Sequence, residues 1–196
     1  MIPRHLQIAA GLLLVAVFVM AVYALRLKHK AEEAPVRTAD LAPVTPPVAG
    51  STEHVTLFIA YDDEGVLRAT PEDIPLPVER SARARELLQA LCLKYQEKPS
   101  PHPLGPGADV KEVYLAEGGL AVVDLNSAFA DSHRSGILVE ELTLVSLIKT
   151  LSANLPEVTE VKLLVEGKER QTLAGHADLG AFYGVVEINQ LLKQLQ

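Results

Sequence analysis

The chain has 196 residues, 48% of them apolar, with no Trp, four Phe and five Tyr, a composition that suits one aliphatic-core domain plus short extras. Its formal net charge of −7 divides into +2 over residues 1–51 and −9 over residues 52–196, and an acidic body of this kind repels phosphate backbones, so nucleic acid is not an expected partner. A single cysteine, Cys92, excludes an intramolecular disulfide and any Cys-clustered zinc site.

From Leu6 to Leu25 the sequence LQIAAGLLLVAVFVMAVYAL has no ionisable side chain except the Tyr23 phenol. At about 1.5 Å per residue it covers the roughly 30 Å hydrocarbon core of a bilayer. Arg4 and His5 flank it on one side, and Arg26, Lys28, His29 and Lys30 on the other. A soluble helix is rarely apolar around its whole circumference, so residues 1–30 read as a membrane anchor with basic flanks. Basic residues alone would put the Arg26 end in the cytoplasm. A short tail, one apolar run and a long acidic domain instead describe a signal anchor or signal peptide. Val22-Tyr23-Ala24 offers a cleavage site, and no cysteine follows the run to carry a lipid at that point. The expectation is an uncleaved single-pass anchor, with the domain outside the cytoplasm.

Residues 31–53 carry four prolines and no amphipathic period, which predicts a semi-rigid tether. A domain is expected over 54–181. His54 to Tyr61 alternates as a strand buried on both faces or nearly so, and Asp62-Asp63-Glu64-Gly65 closes it. Ala84, Leu87, Leu88, Leu91, Cys92 and Tyr95 fall at helical spacings within Val78 to Tyr95. After the Pro/Gly loop Lys98 to Val110, two apolar runs between Val113 and Leu125 flank Glu117-Gly118-Gly119, a tight hairpin signal. Leu138 to Leu155 predicts a second helix with Leu142, Leu144, Val145, Leu147, Ile148 and Leu151 inward, ended by Asn154 and Pro156. Val161 to Val165 is a further strand, and Glu166-Gly167-Lys168 turns toward a shorter edge strand near Gln171 to Leu173. The order β-α-β-β-α-β predicts an α/β (α+β) domain: one mixed sheet with two helices on one face. Val185, Ile188, Leu191, Leu192 and Leu195 fit a helix within the tail 182–196.

Candidate chemistry concentrates in Val122 to Leu142, which holds Asp124, Ser127, Asp131, Ser132, His133, Ser135, Glu140 and Glu141. A hydrolase would use Ser127 or Ser135 with His133, but neither serine sits in the G-x-S-x-G context that constrains a nucleophile. Asp124, Asn126 and Ser127 are residue types that satisfy backbone donors where a strand hands over to a helix. Glu140 and Glu141 suit the first turn of that helix electrostatically. Gly175-His176-Ala177-Asp178 supplies two potential metal ligands where a catalytic zinc needs three and a second shell, and reads as a turn with a hydrogen-bonded histidine. No catalytic residue, metal or cofactor is assigned from these patterns, and Cys92 reads as a small buried hydrophobe.

Leu88-Gln89-Ala90-Leu91, the Pro/Gly loop, VYLAEGGLAVVDLNSAF, LTLVSLIKTLSANLPEVTEVKLLVEGK and QTLAGHADL together resemble the GerMN domain of bacterial envelope proteins, over about residues 54–180. The resemblance implies a secreted or membrane-anchored module in sporulation or germination, with no assigned catalytic residues. It also implies a fold similar to the ring-building domains of envelope assemblies. Here one copy is present, and Ala181-Phe182-Tyr183 stands where a proline-containing ending is expected. The expected function is a non-enzymatic, membrane-tethered module. It would reach the membrane through residues 6–25 and bind an envelope protein or its own copies. Peptidoglycan binding is the nearest variant, and an envelope hydrolase using Ser127 or Ser135 with His133 is the enzymatic alternative.

Overall fold

The structure, a computed structural model, describes residues 51–195 and, of the first fifty, Met20 alone. The expected membrane helix and the tether up to residue 50 lie outside the described residues. No helix among the described residues is long and apolar enough to cross a membrane.

Strand β1 (Thr52–Tyr61) buries Val55, Leu57 and Ile59 on one face, while Thr56 and Phe58 on the other are only half-buried, where burial on both faces or nearly so was expected. Gly65, at φ 69°, closes the expected turn, and its N–H donates to the Tyr61 carbonyl at 2.9 Å. The chain then returns as β2 (Val66–Pro75), antiparallel to β1 with Tyr61 opposite Val66. Pro71, Pro75 and the charges of Arg68, Glu72 and Asp73 hide β2 from a hydrophobic pattern. Among the described residues its outer edge has no strand neighbour, which is where a strand tolerates proline.

Helix α1 (Arg80–Gln96) starts at Glu79, whose carboxylate accepts from the N–H groups of Ser81 and Ala82, and it buries all six residues of the expected stripe. Strands β3 (Val110–Leu115) and β4 (Leu120–Leu125) form the expected hairpin, with Gly118 and Gly119 at φ 82° and 88° in the turn. Two helices follow, the short α2 (Ser127–Asp131) and α3 (Ile137–Asn154). They supply the crossover that lets β5 (Glu160–Val165) lie parallel to β4. The edge strand is β6 (Phe182–Gly184), antiparallel to β5, and the tail ends in the expected helix, α4 (Val185–Leu195). Near Gln171 to Leu173, where that edge strand was expected, there is only a single bridge between Thr172 and Asp178.

The α+β class holds, but the strands form two sheets, β1-β2 and β3-β4-β5-β6, where one was expected. The reason lies on α3. Asn154 Oδ1 accepts from the Thr56 N–H at 3.0 Å, Thr150 Oγ1 accepts from the Phe58 N–H at 3.0 Å, and the Tyr95 hydroxyl accepts from the Ala60 N–H at 2.8 Å. In return Asn154 Nδ2 donates to the Thr56 carbonyl at 2.8 Å and Ser146 Oγ to the Phe58 carbonyl at 2.6 Å. Four helical residues rise about 6 Å and two strand residues about 6.8 Å. Thr150 and Asn154 therefore meet the alternate residues Phe58 and Thr56 of β1, and with Ser146 on the Phe58 carbonyl and Tyr95 on the Ala60 N–H they fill the edge a third strand would use.

Helix α3 is consequently buried on nearly every side. Leu142 through Ile148 are all buried, with Thr143 and Ser146 among the leucines. In the four-stranded sheet, Val113, Val123, Leu125, Val161 and Leu163 face the core at zero exposure. On the opposite face, Tyr114, Val122, Lys162 and Phe182 are register partners in one row across all four strands.

Candidate functional site

The polar residues of Val122 to Leu142 do not stand together on an exposed loop. Asp124, His133 and Glu140 are buried, and each anchors a different segment. Asp124 Oδ1 accepts from the Gly167 N–H at 2.7 Å, tying β4 to the turn after β5. Asn126 caps α2 by accepting from the Phe129 N–H at 2.8 Å and reaches back to the Gly107 carbonyl at 2.7 Å, the role expected of a strand-to-helix residue. Ser127 is exposed, and its N–H donates to Glu166 at 2.7 Å.

Glu140 lies in the first turn of α3 as expected, and it has no side-chain exposure. Its Oε2 accepts from the N–H groups of Ala174, His176 and Ala177 at 3.0, 2.9 and 2.9 Å. Its Oε1 accepts from the Gly136 N–H at 3.2 Å and from His176 Nδ1 at 3.0 Å. Burial alone would raise the carboxyl pKa. The Ala177 N–H, the His176 imidazole and the N–H groups of Ala174 and His176 outweigh it and bring the value down to about 2. One carboxylate thus fixes the Gly175-His176-Ala177 turn to the start of α3.

A second network lies one turn further on. Arg134 donates to Asp62 Oδ2, and His102 Nδ1 lies 2.5 Å from Asp62 Oδ1. His102 Nε2 and His133 Nε2 both lie 2.7 Å from Thr143 Oγ1. With His102 Nδ1–H on Asp62 and His133 Nδ1–H on the Arg134 carbonyl at 2.7 Å, both Nε2 atoms are acceptors. The Thr143 hydroxyl then has one proton for two imidazoles, and the Val139 carbonyl competes for it at 3.0 Å. Burial pushes both histidines below their usual pKa, with Asp62 pulling His102 back up.

Asp62, His102 and Thr143 have the connectivity of an acid-base-nucleophile triad, which needs a hydroxyl that substrate can reach. Thr143 is 0% exposed and its hydroxyl is already shared among three partners. His133 has both ring nitrogens occupied and contacts neither Ser127 nor Ser135. Ser135 Oγ does lie 3.4 Å from His176 Nδ1, but Glu140 uses that same nitrogen. A relay needs the nucleophile and the orienting acid on different ring nitrogens. Cys92 is buried, which pushes its thiol pKa up, away from thiolate. Among the described residues no cluster of three or more His, Cys, Asp or Glu could hold a metal.

The sequence names Glu140, His133 and His176 without pairing them correctly, and it gives no reason to join Asp62, His102 and Thr143. These partners are separated by 40 and 41 positions, and only the fold brings them together.

Residues 56–171 match the family described as Germane, sporulation and spore germination. Comparison with curated proteins returns no match. Among solved structures, a candidate lipoprotein from Clostridium perfringens aligns at a TM-score of 0.49 and 19% identity, over 71% of this chain and 92% of that one. The tandem GerMN domains of the sporulation protein GerM from Bacillus subtilis align at 0.48 and 20% identity, over 65% of this chain and 44% of that one. The first GerMN domain of the same protein aligns at 0.42 and 19% identity, over 65% and 92%. The family match spans most of the hairpin β1-β2, the polar stripe of α3 and Glu140 itself but not the 174–177 turn it holds, and on that match the chain belongs to the Germane family of sporulation and spore germination domains.

Proposed function

We propose that this chain is a non-enzymatic interaction module, tethered by residues 6–25 to a bacterial cytoplasmic membrane and presenting residues 54–181 outside the cytoplasm to an envelope protein or to further copies of itself. The observation that carries this reading is the sheet face turned away from the core. Tyr114 and Phe182, each 56% exposed, stand at the two ends of one cross-strand row, with Val122 between them. Aromatic side chains in the open are the residue types that supply contact energy at interfaces. The titratable groups of the interior, by contrast, are spent on holding loops.

The reading predicts that Tyr114→Cys is labelled in intact cells by a membrane-impermeant maleimide, whereas buried Cys92 stays silent. Labelling only after the cells are opened would refute an extracytoplasmic domain. Purified protein should also show no wall or ester hydrolysis that His133→Ala removes. An activity that falls by orders of magnitude in that variant would move the protein to the enzyme class.

A further inference from the structure

A groove of about 320 Å³ lies between α3, the 176–178 turn and the start of α4. Leu144, Val145 and Ile188 form its apolar lining, and Glu141 and Asp178 contribute carboxylates. Neither carboxylate has a cationic partner among the described residues. Glu141 makes no hydrogen bond there, and Asp178 Oδ1 accepts only from the Gly180 N–H at 2.7 Å. Burial first, and then the charges of Asp178 and Glu141, hold the phenol of Tyr183 in the same groove above its usual pKa, so both carboxylates are felt at one point of the lining.

The remaining polar atoms there are acceptors or already committed. Tyr183 donates its hydroxyl proton to the Asp178 carbonyl. His176 gives Nδ1–H to Glu140, and its Nε2 has no partner among the described residues. A groove with an aliphatic lining and unpaired acceptors suits a ligand with an aliphatic stem and a cationic, donor-only head. Its volume, at the low end for ligand pockets, fits one side chain better than a large molecule. The −9 charge of residues 52–196 adds a long-range attraction for a basic partner.

We propose that this groove receives a lysine or arginine side chain flanked by aliphatic residues, presented by a protein partner. The proposal rests on the interaction-module reading and names the chemistry of the partner. It is tested by titrating the isotope-labelled full chain, in detergent micelles, with acetyl-Leu-Lys-Leu-amide and with acetyl-Leu-Gln-Leu-amide, following backbone amide signals by NMR.

The lysine peptide should move the signals of Glu141, Ala177 and Asp178 saturably, and the glutamine peptide should leave them in place. The double substitution Glu141→Gln, Asp178→Asn should weaken the lysine peptide by about tenfold or more. It keeps the Gly180 contact, because an asparagine oxygen still accepts. An equal response to both peptides, no response to either, or an unchanged affinity in the double variant overturns the proposal. So does saturation of these signals by a soluble wall stem peptide with a free amine when the lysine peptide is silent. Crosslinks formed from Tyr114 in cells would survive such a failure, which separates it from failure of the interaction-module reading.

Discussion

The two sheets of this domain are completed by different means. Strands β3, β4, β5 and β6 find their partners in one another and stack aliphatic side chains on one face. Among the described residues the hairpin β1-β2 has no third strand, and the inner edge of β1 is completed by Ser146, Thr150 and Asn154 on α3 together with Tyr95 on α1. The four-stranded sheet is held by area and strand pairing, whereas the hairpin adds to its buried Val55, Leu57 and Ile59 a set of side-chain hydrogen bonds placed one by one along β1. Area tolerates small changes and fails in proportion to the cavity made, whereas a buried donor left without its acceptor costs its desolvation in full.

Substitutions can separate the two mechanisms. Leu163→Ala, at 0% exposure in the middle of β5, should cost about 4 kcal/mol in denaturant unfolding, from lost burial plus the cavity left behind. Glu140→Gln should cost about 3 kcal/mol, because an amide keeps one acceptor oxygen and turns a donor toward N–H groups that already donate. This variant also carries a pH signature. The folded carboxyl sits near pKa 2 against an ordinary 4.5. Its stabilisation is fully present above about pH 4.5 and is lost as pH falls toward 2. Wild type should therefore lose stability across that window more steeply than Glu140→Gln, and parallel pH profiles for the two proteins would contradict the assignment.

Asn154→Ala leaves the Thr56 N–H and carbonyl without their side-chain partners and should cost about 1–2 kcal/mol. Hydrogen exchange should rise at Thr56 before it rises in β4 or β5. Exchange that rises equally in both sheets would mean that α3 does not hold the hairpin separately. At the small end, Lys111→Gln removes an exposed pair with Glu166 at 2.6 Å and should leave the denaturant midpoint almost unchanged.

This division also explains what could be read before the fold was seen. Leu87, Leu88, Leu91 and Cys92 on α1 and Val161, Leu163 and Val165 on β5 announce themselves because apolar periodicity records area burial. The glycines of the β3-β4 turn do so because the turn needs positive φ. Strand β2 left no such trace, since an edge strand carrying Pro71 and Pro75 buries little. Asn154 read only as the end of a helix, and apolar periodicity gives no role to Ser146 and Thr150, yet all three hydrogen-bond to the edge of β1. The candidate triad failed for a related reason: composition showed acids, hydroxyls and histidines close in sequence, but hydrogen-bond partners are chosen by the fold. Glu140 reaches Ala174, His176 and Ala177, and His133 reaches Thr143, and neither choice is visible in Val122 to Leu142 alone.

The two sheets differ on the outside as well, and the four-stranded one presents exposed Tyr114 and Phe182 at the ends of the row Tyr114, Val122, Lys162, Phe182, with Lys162 buried beneath the Leu179 and Gly180 carbonyls. The most direct test of the account is photo-crosslinking in living cells from an amino-acid probe placed at Tyr114 in the full-length chain. The account predicts a discrete adduct, with one envelope protein or with a second copy of this chain, that is absent when the probe replaces exposed Glu97 at the end of α1. No adduct from Tyr114, or the same adducts from both positions, would contradict the claim that this sheet face is where the module meets its partner.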